Sequence, residues 1–146
     1  MLPGVGAMVW VWIWIDAMEE KRRNDAGEKL PAAVNVPALI DTGSHGSVVD
    51  VRIATKLGLR KGNPTSFTTL TQEPKQVPTY HFAVVFDTSP RTGLDVSEGV
   101  SIDLIAHRQT EPPMGLVLGR DILDRCKLVY DGLNGTVFLE LEHDAP

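Results

Sequence analysis

Met8 to Asp16 reads MVWVWIWID, an apolar run whose side chains alternate. In a strand, Trp10, Trp12 and Trp14 fall on one face and Val9, Val11, Ile13 and Ile15 on the other. A strand apolar on both faces must be covered on both. Two coverings stay open for the second face: a packed helix, or a protein–protein surface, where tryptophan is favoured. The polar stretch DAMEEKRRNDAGEKLPA follows, broken by Gly27 and Pro31, and predicts a solvated hairpin loop or short helix. AVNVPALI predicts a strand, with Pro37 pointing to an edge or a bulge.

DVRIATKLGL carries a helix signature. Asp50 is placed as N-cap, Ile53, Ala54 and Leu57 share a face, and Gly58 stands where a C-terminal glycine is wanted. SFTTLTQEPKQVPTYHFAVVFD predicts two strands joined by a polar tip at Gln72 to Gln76. TSPRTGLDVSEG reads as a loop and VSIDLIAH as a strand. GLVLGRDILDRC opens as a strand and passes through Gly119 into a short helix, and KLVYDGLNGTVFLEL predicts a hairpin around Asp131-Gly132 and Asn134-Gly135. No internal repeat or low-complexity segment interrupts the pattern. The expected class is all-β with two short helices, in a single domain spanning 1–146.

Composition narrows the function classes. A hydrophobic fraction of 42% and a charged fraction of 23% describe a folded globular chain rather than a disordered one. The net charge is −5, and the one basic run, Lys21-Arg22-Arg23, follows Glu19 and Glu20. Electrostatics therefore give little support to a nucleic-acid partner. Cys126 is the only cysteine, so no internal disulfide or cysteine-built metal site is expected, and it reads as a small buried hydrophobe. The apolar stretch near the start is shorter than the ~20 residues needed to span a bilayer. It also lacks a basic n-region, so it reads as a strand and no membrane partner is expected. Missing signals make a cytoplasmic location the default.

Chemistry concentrates in ALIDTGSHGSVVD, where a carboxylate and a hydroxyl follow three apolar residues. Alone, Asp-Thr-Gly is a turn signal. Its apolar flanks, with Val48 and Val49 resuming the pattern, argue that Asp41 is held in a desolvated place for a reason. Gly43 permits close backbone approach and can offer its amide to that carboxylate. His81, His107 and His143 have no metal-site spacing, and no cofactor is expected. Ser44-His45 lacks a nucleophile-elbow pattern, and GVGAMV lacks the strand that a phosphate loop requires.

ALIDTGSHGSVV together with GLVLGRDIL resembles the retropepsin-like aspartic proteases, closer to cellular and bacterial members than to viral ones, over roughly residues 34 to 141. The resemblance implies a single-lobed acid-protease barrel acting as a homodimer, with no cofactor and a peptide or protein substrate. It implies Asp41, Thr42 and Gly43 as the catalytic loop, with the second Asp41 supplied by an identical chain because DTG occurs once. Two such carboxylates share one proton around a water. Thr42 would cross-bond the subunits, and the Gly43 amide and Ser44 hydroxyl would orient the carboxylate. Gly119 and Arg120 would support the site from the later run, which packs against the catalytic loop. Ser44, His45, Leu70, Thr71, Gln72 and Leu118 are the expected substrate-facing residues.

The hairpin from Phe67 to Phe86 falls where the family has its flap, although Thr71, Gln72, Glu73, Pro74 and Lys75 replace the glycines of viral flaps; Pro74 implies a stiffer flap or an apex elsewhere. His45 stands where viral members carry an acid, which leaves Asp121, Asp124 and Asp50 as candidate partners for Arg120. A catalytically weak dimerisation or peptide-binding module on the same fold is the competing expectation.

Overall fold

The computed structural model describes residues 7–69, 72–88, 91–104 and 113–141. Eleven strands alternate with few helices: β1 (Met8–Ile15), α1 (Ala17–Ala26), β2 (Val34–Ile40), β3 (Val48–Asp50), α2 (Val51–Leu57), β4 (Arg60–Lys61), β5 (Thr65–Thr69), β6 (Gln72–Val77), β7 (Thr79–Thr88), β8 (Arg91–Ile102), β9 (Leu116–Leu118), α3 (Arg120–Leu123), β10 (Cys126–Asp131) and β11 (Thr136–Leu141). Six strands close into a barrel in the order β1-β2-β9-β3-β8-β7, with β7 returning to pair with β1. The all-β expectation thus stands as a closed barrel with short helices. Closure removes the open edges that a flat sheet would present.

The alternation in β1 decides what fills the barrel. Val11, Ile13 and Ile15 are buried, and join Val36, Ala38, Val49, Phe82, Val84, Val96, Leu116 and Leu118 in one core. The tryptophan face is graded. Trp14 is buried with its Nε1–H donating to the Pro31 carbonyl at 2.8 Å, Trp12 is half-buried, and Trp10 is 59% exposed. Pro37 does not mark an edge, because β2 lies between β1 and β9. The Ile40 amide donates to the Ala7 carbonyl, so the alternating ladder makes Trp10 and Pro37 a non-hydrogen-bonded pair. The missing N–H is therefore not needed by β1.

Three further expectations need correction. The two short helices become three among the described residues: the charged stretch after β1, read as a hairpin loop or short helix, is the ten-residue helix α1, capped by Asp16 at its start and Gly27 at its end. The polar residues Gln72–Val77 form strand β6 and pair back on β5, so they are not a tip. The segment from Arg91 onward is not a loop but the first part of the twelve-residue β8. Local charge and glycine content masked that strand; its pairing with β7 overrides propensity.

Helix α2 follows its sequence signals throughout. The Asp50 side chain accepts from the Arg52 amide, Ile53, Ala54 and Leu57 are buried, and Gly58 takes the left-handed conformation at φ 59°. Arg23 reaches across from α1 and donates through Nη2 to the Leu57 and Gly58 carbonyls at 3.1 and 3.0 Å. It caps one helix from another. Glu19, only 5% exposed, holds both Arg22 (2.6 Å) and Arg23 (3.1 Å).

Hydrogen bonds from Arg22 hold the Glu19 carboxyl below its ordinary range; burial opposes them and Arg23 assists. The folded value therefore lies under the unfolded one of ~4.3. The contribution to stability is complete above that unfolded value and disappears as pH falls through the folded one. Glu19→Gln is expected to narrow the difference in urea midpoint between pH 7 and pH ~3 relative to the parent chain. An unchanged difference would mean that other carboxylates carry the acid sensitivity.

Candidate active site

The loop after β2 is rooted in fully buried structure. Strand β9 inserts between β2 and β3, parallel to the first and antiparallel to the second. Alternation then divides seven side chains between two apolar layers. Ala38, Val49, Leu116 and Leu118 face the barrel core, while Leu39, Val48 and Val117 pack with Leu104 and Met114 on the other side. Burying each large aliphatic side chain contributes on the order of 2 kcal/mol. The three strands form a platform buried on both faces, and the Asp41 loop leaves its end.

Short hydrogen bonds fix the loop on this platform. The Asp41 amide donates to the Leu118 carbonyl at 3.0 Å, and the Ser44 amide closes a turn onto the Asp41 carbonyl at 3.1 Å. The Gly43 amide donates to Asp41 Oδ1 at 3.0 Å. Oδ2 has no partner among the described residues. The carboxylate is half-buried rather than desolvated, and Thr42 and Gly43 are exposed. The single chain leaves this side of the loop uncovered.

Gly119 and Arg120 support the loop through their backbones. The Arg120 amide donates to the Ser44 carbonyl at 2.9 Å, and the Gly119 amide donates to Ser47 Oγ at 3.0 Å. A methyl group at Gly119 would lie 2.4 Å from both the carbonyl carbon and the oxygen of Gly46. Only hydrogen fits between the two crossing segments.

Asp121 and Ser47 complete the crossing. Asp121 accepts from the Ser47 amide through Oδ2 at 3.0 Å and from the Ser47 hydroxyl through Oδ1 at 2.7 Å, while its own amide donates to the His45 carbonyl at 3.3 Å. Ser47 is 1% exposed, so every polar atom it brings inside has to be satisfied there. Sequence reasoning missed Ser47 and offered Asp121 only as a partner for Arg120. A small hydroxyl residue just before an apolar strand, and an acid directly after Gly-Arg, were the available signals.

Several expected roles change. The Ser44 hydroxyl does not orient the carboxylate; it donates to the Gly46 carbonyl at 2.7 Å, which tightens the turn instead. Leu118 contributes its backbone to the site, but its side chain is fully buried in the barrel core and so does not face a substrate. Asp50 is used by α2 and by the Leu104 amide, and Arg120 is exposed, pairing with none of Asp50, Asp121 or Asp124 among the described residues. His45 is exposed on the loop. The Thr42 side chain makes no hydrogen bond among the described residues.

The expected flap resolves into two parts. β5 and β6 form a separate two-stranded ribbon, whereas Thr79 to Phe86 belongs to the barrel wall as β7. Leu70 and Thr71 lie outside the described residues. The Gln72 backbone pairs with Thr69 at the outer end of the ribbon. Pro74 stands within β6 beside a register shift, not at the apex. No hydrogen bond joins the ribbon to the Asp41 loop among the described residues. A cavity of about 260 Å³ lined by Trp14, Ala83, Gly93 and Asp95 shares no residue with that loop. No protein-family model matches the chain, and no curated protein matches it.

Proposed function

We propose that this chain is a retropepsin-like aspartic endopeptidase, assembled as a homodimer in which each subunit supplies one Asp41. The observation that carries this reading is the seating of Asp41: one carboxylate oxygen held by the Gly43 amide, the other open, on an exposed loop locked from beneath by an inserted strand. Rigid placement of a reacting group is worth far more than its mere presence.

Two such carboxylates, one protonated, would share a water. The ionised carboxylate takes a proton from that water as its oxygen attacks the scissile carbonyl carbon. The protonated partner hydrogen-bonds the carbonyl oxygen and gives up its proton to it, forming the gem-diol. Collapse of that intermediate breaks the C–N bond, with a proton passing to the leaving amine. The uncovered Thr42 and Gly43 lie on the side that a second subunit would close. Apolar side chains on either side of the scissile bond are the preferred substrates, bound in extended form by main-chain hydrogen bonds.

Incubation of the purified protein with a mixed peptide library from acid to neutral pH, with and without pepstatin, tests the reading. Cleavage is expected, and pepstatin should block it. Specific activity per subunit should fall on dilution through the dissociation range, because a lone subunit holds half a site. Activity per subunit that stays constant through that range would overturn the shared site. A folded dimer without cleavage at any pH would favour the peptide-binding module.

A further inference from the structure

We propose that Glu98 is the latch that fixes the angle of the β5–β6 ribbon against the barrel, and is thereby a positioning residue for peptide bound at the Asp41 loop. Its effect on catalysis rests on the protease reading; its effect on the ribbon does not.

The ladder between β7 and β8 slips by one residue beside Glu98. Tyr80 pairs with Gly99 but Phe82 with Val96, which leaves Ser97 and Glu98 together opposite His81. In this bulge Glu98 has φ 53°, the only positive φ at a non-glycine position among the described residues. An L-residue is disfavoured there, and glycine would adopt the conformation freely. What the glutamate adds is its side chain, whose Oε1 accepts from the Asn63 amide at 3.1 Å.

Asn63 belongs to the foot by which the chain enters the ribbon. The leaving foot is clamped to it. Buried Thr79 donates through Oγ1 to the Asn63 carbonyl at 2.8 Å, its own carbonyl accepts from the Gly62 amide at 2.9 Å, and the Pro78 carbonyl accepts from the Ser101 amide at 3.0 Å. A methyl group at Gly62 would lie 2.6 Å from Glu98 Cγ and 2.5 Å from Thr79 Oγ1, so three segments meet at this point without spare room. Pro64 precedes β5 and Pro78 follows β6, and each restricts φ at its foot.

Beyond its feet the ribbon is mostly exposed: Thr65, Ser66, Thr68, Glu73, Pro74, Lys75 and Gln76 all face solvent, and among the described side chains only Phe67 and Val77 are sheltered. A two-stranded ribbon has little stability of its own. Its direction is therefore set where it is held. The Glu98 carboxylate is the side-chain link from β8 to the entering foot, beside the Thr79 hydroxyl from β7.

Hydrogen exchange of the full-length protein, read by mass spectrometry, tests the latch without reference to activity. In Glu98→Ala the amides of 65–69 and 72–77 should exchange about tenfold faster, as expected for losing a hydrogen bond to a charged acceptor. Amides of β1 and β2 should keep their protection. Glu98→Gly, which relieves the left-handed backbone and so guards against a variant that fails to fold, should show the same ribbon-specific increase. Glu98→Gln retains an acceptor at Oε1 and should restore protection. Unchanged ribbon exchange in both the alanine and glycine variants, or glutamine behaving as alanine, would overturn the proposal. Where the parent cleaves peptide, Glu98→Ala should raise KM more than it lowers kcat; a parent without cleavage removes the protease reading and leaves the exchange result standing.

Discussion

Asp41→Asn should eliminate peptide cleavage, lowering kcat/KM on the order of 10³-fold or more, while the chain remains folded and dimeric. Asparagine has the same shape as aspartate and its side-chain oxygen can still accept from the Gly43 amide, so the turn that carries it is preserved. What is lost is the ability to take a proton from water or hold the shared one. Because position 41 is half-buried and its side chain makes one hydrogen bond among the described residues, stability should move by no more than about 1 kcal/mol. Peptide cleavage, urea unfolding and molar mass by light scattering check the three parts separately. A variant that keeps a tenth of parental activity would remove the carboxylate pair from the mechanism.

Gly119→Ala is expected to damage both the fold and the site. The added methyl group meets backbone atoms of Gly46 at 2.4 Å, and backbone cannot rotate away as a side-chain tip would. Overpacking of this kind destabilises by about 1–3 kcal/mol, and its rigid surroundings place this position at the upper end. Either strand β9 backs out or the turn holding Asp41 lifts. Both loosen the Leu118 carbonyl to Asp41 amide bond. A displacement near 1 Å at a reacting group lowers rate by about 10²-fold. The urea midpoint and kcat/KM should therefore fall together, and a variant stable and active as the parent would show that the crossing has slack. Gly119 itself has φ −94° and ψ −175°, which any residue adopts, so space rather than backbone conformation is what the alanine violates.

Much of this is legible in the sequence. The capped helix α2, the strand leading into Asp41, the later Leu-Val-Leu-Gly run and the final hairpin all announce themselves through periodicity, caps and turn residues. Their signals are local. The resemblance implied only that the later run packs against the catalytic loop; the threading of β9 between β2 and β3 was not read, because a three-residue strand has no period to read. Ser47 was missed for a related reason: its partner Asp121 lies 74 residues away, and a small hydroxyl residue before an apolar strand does not say which distant group it will meet. The misread loop at Arg91 to Glu98 shows the opposite failure. Its glycine and charges are poor strand signals, yet pairing along β7 makes a strand of it, and the price is a left-handed glutamate.

Strand β9 has a consequence for the order of assembly. Strands β2 and β3 do not pair with each other; each pairs with a segment that arrives from the far end of the chain. A nascent polypeptide that has emerged only as far as β8 has the Asp41 turn in its sequence but nothing for it to rest on. Contacts so distant in sequence form slowly, because a long loop must close before they give any return. The seat of Asp41 should thus form only after β9 has been made and has threaded between β2 and β3, when the chain's own extended segments are already paired and withdrawn from the reach of a neighbouring copy.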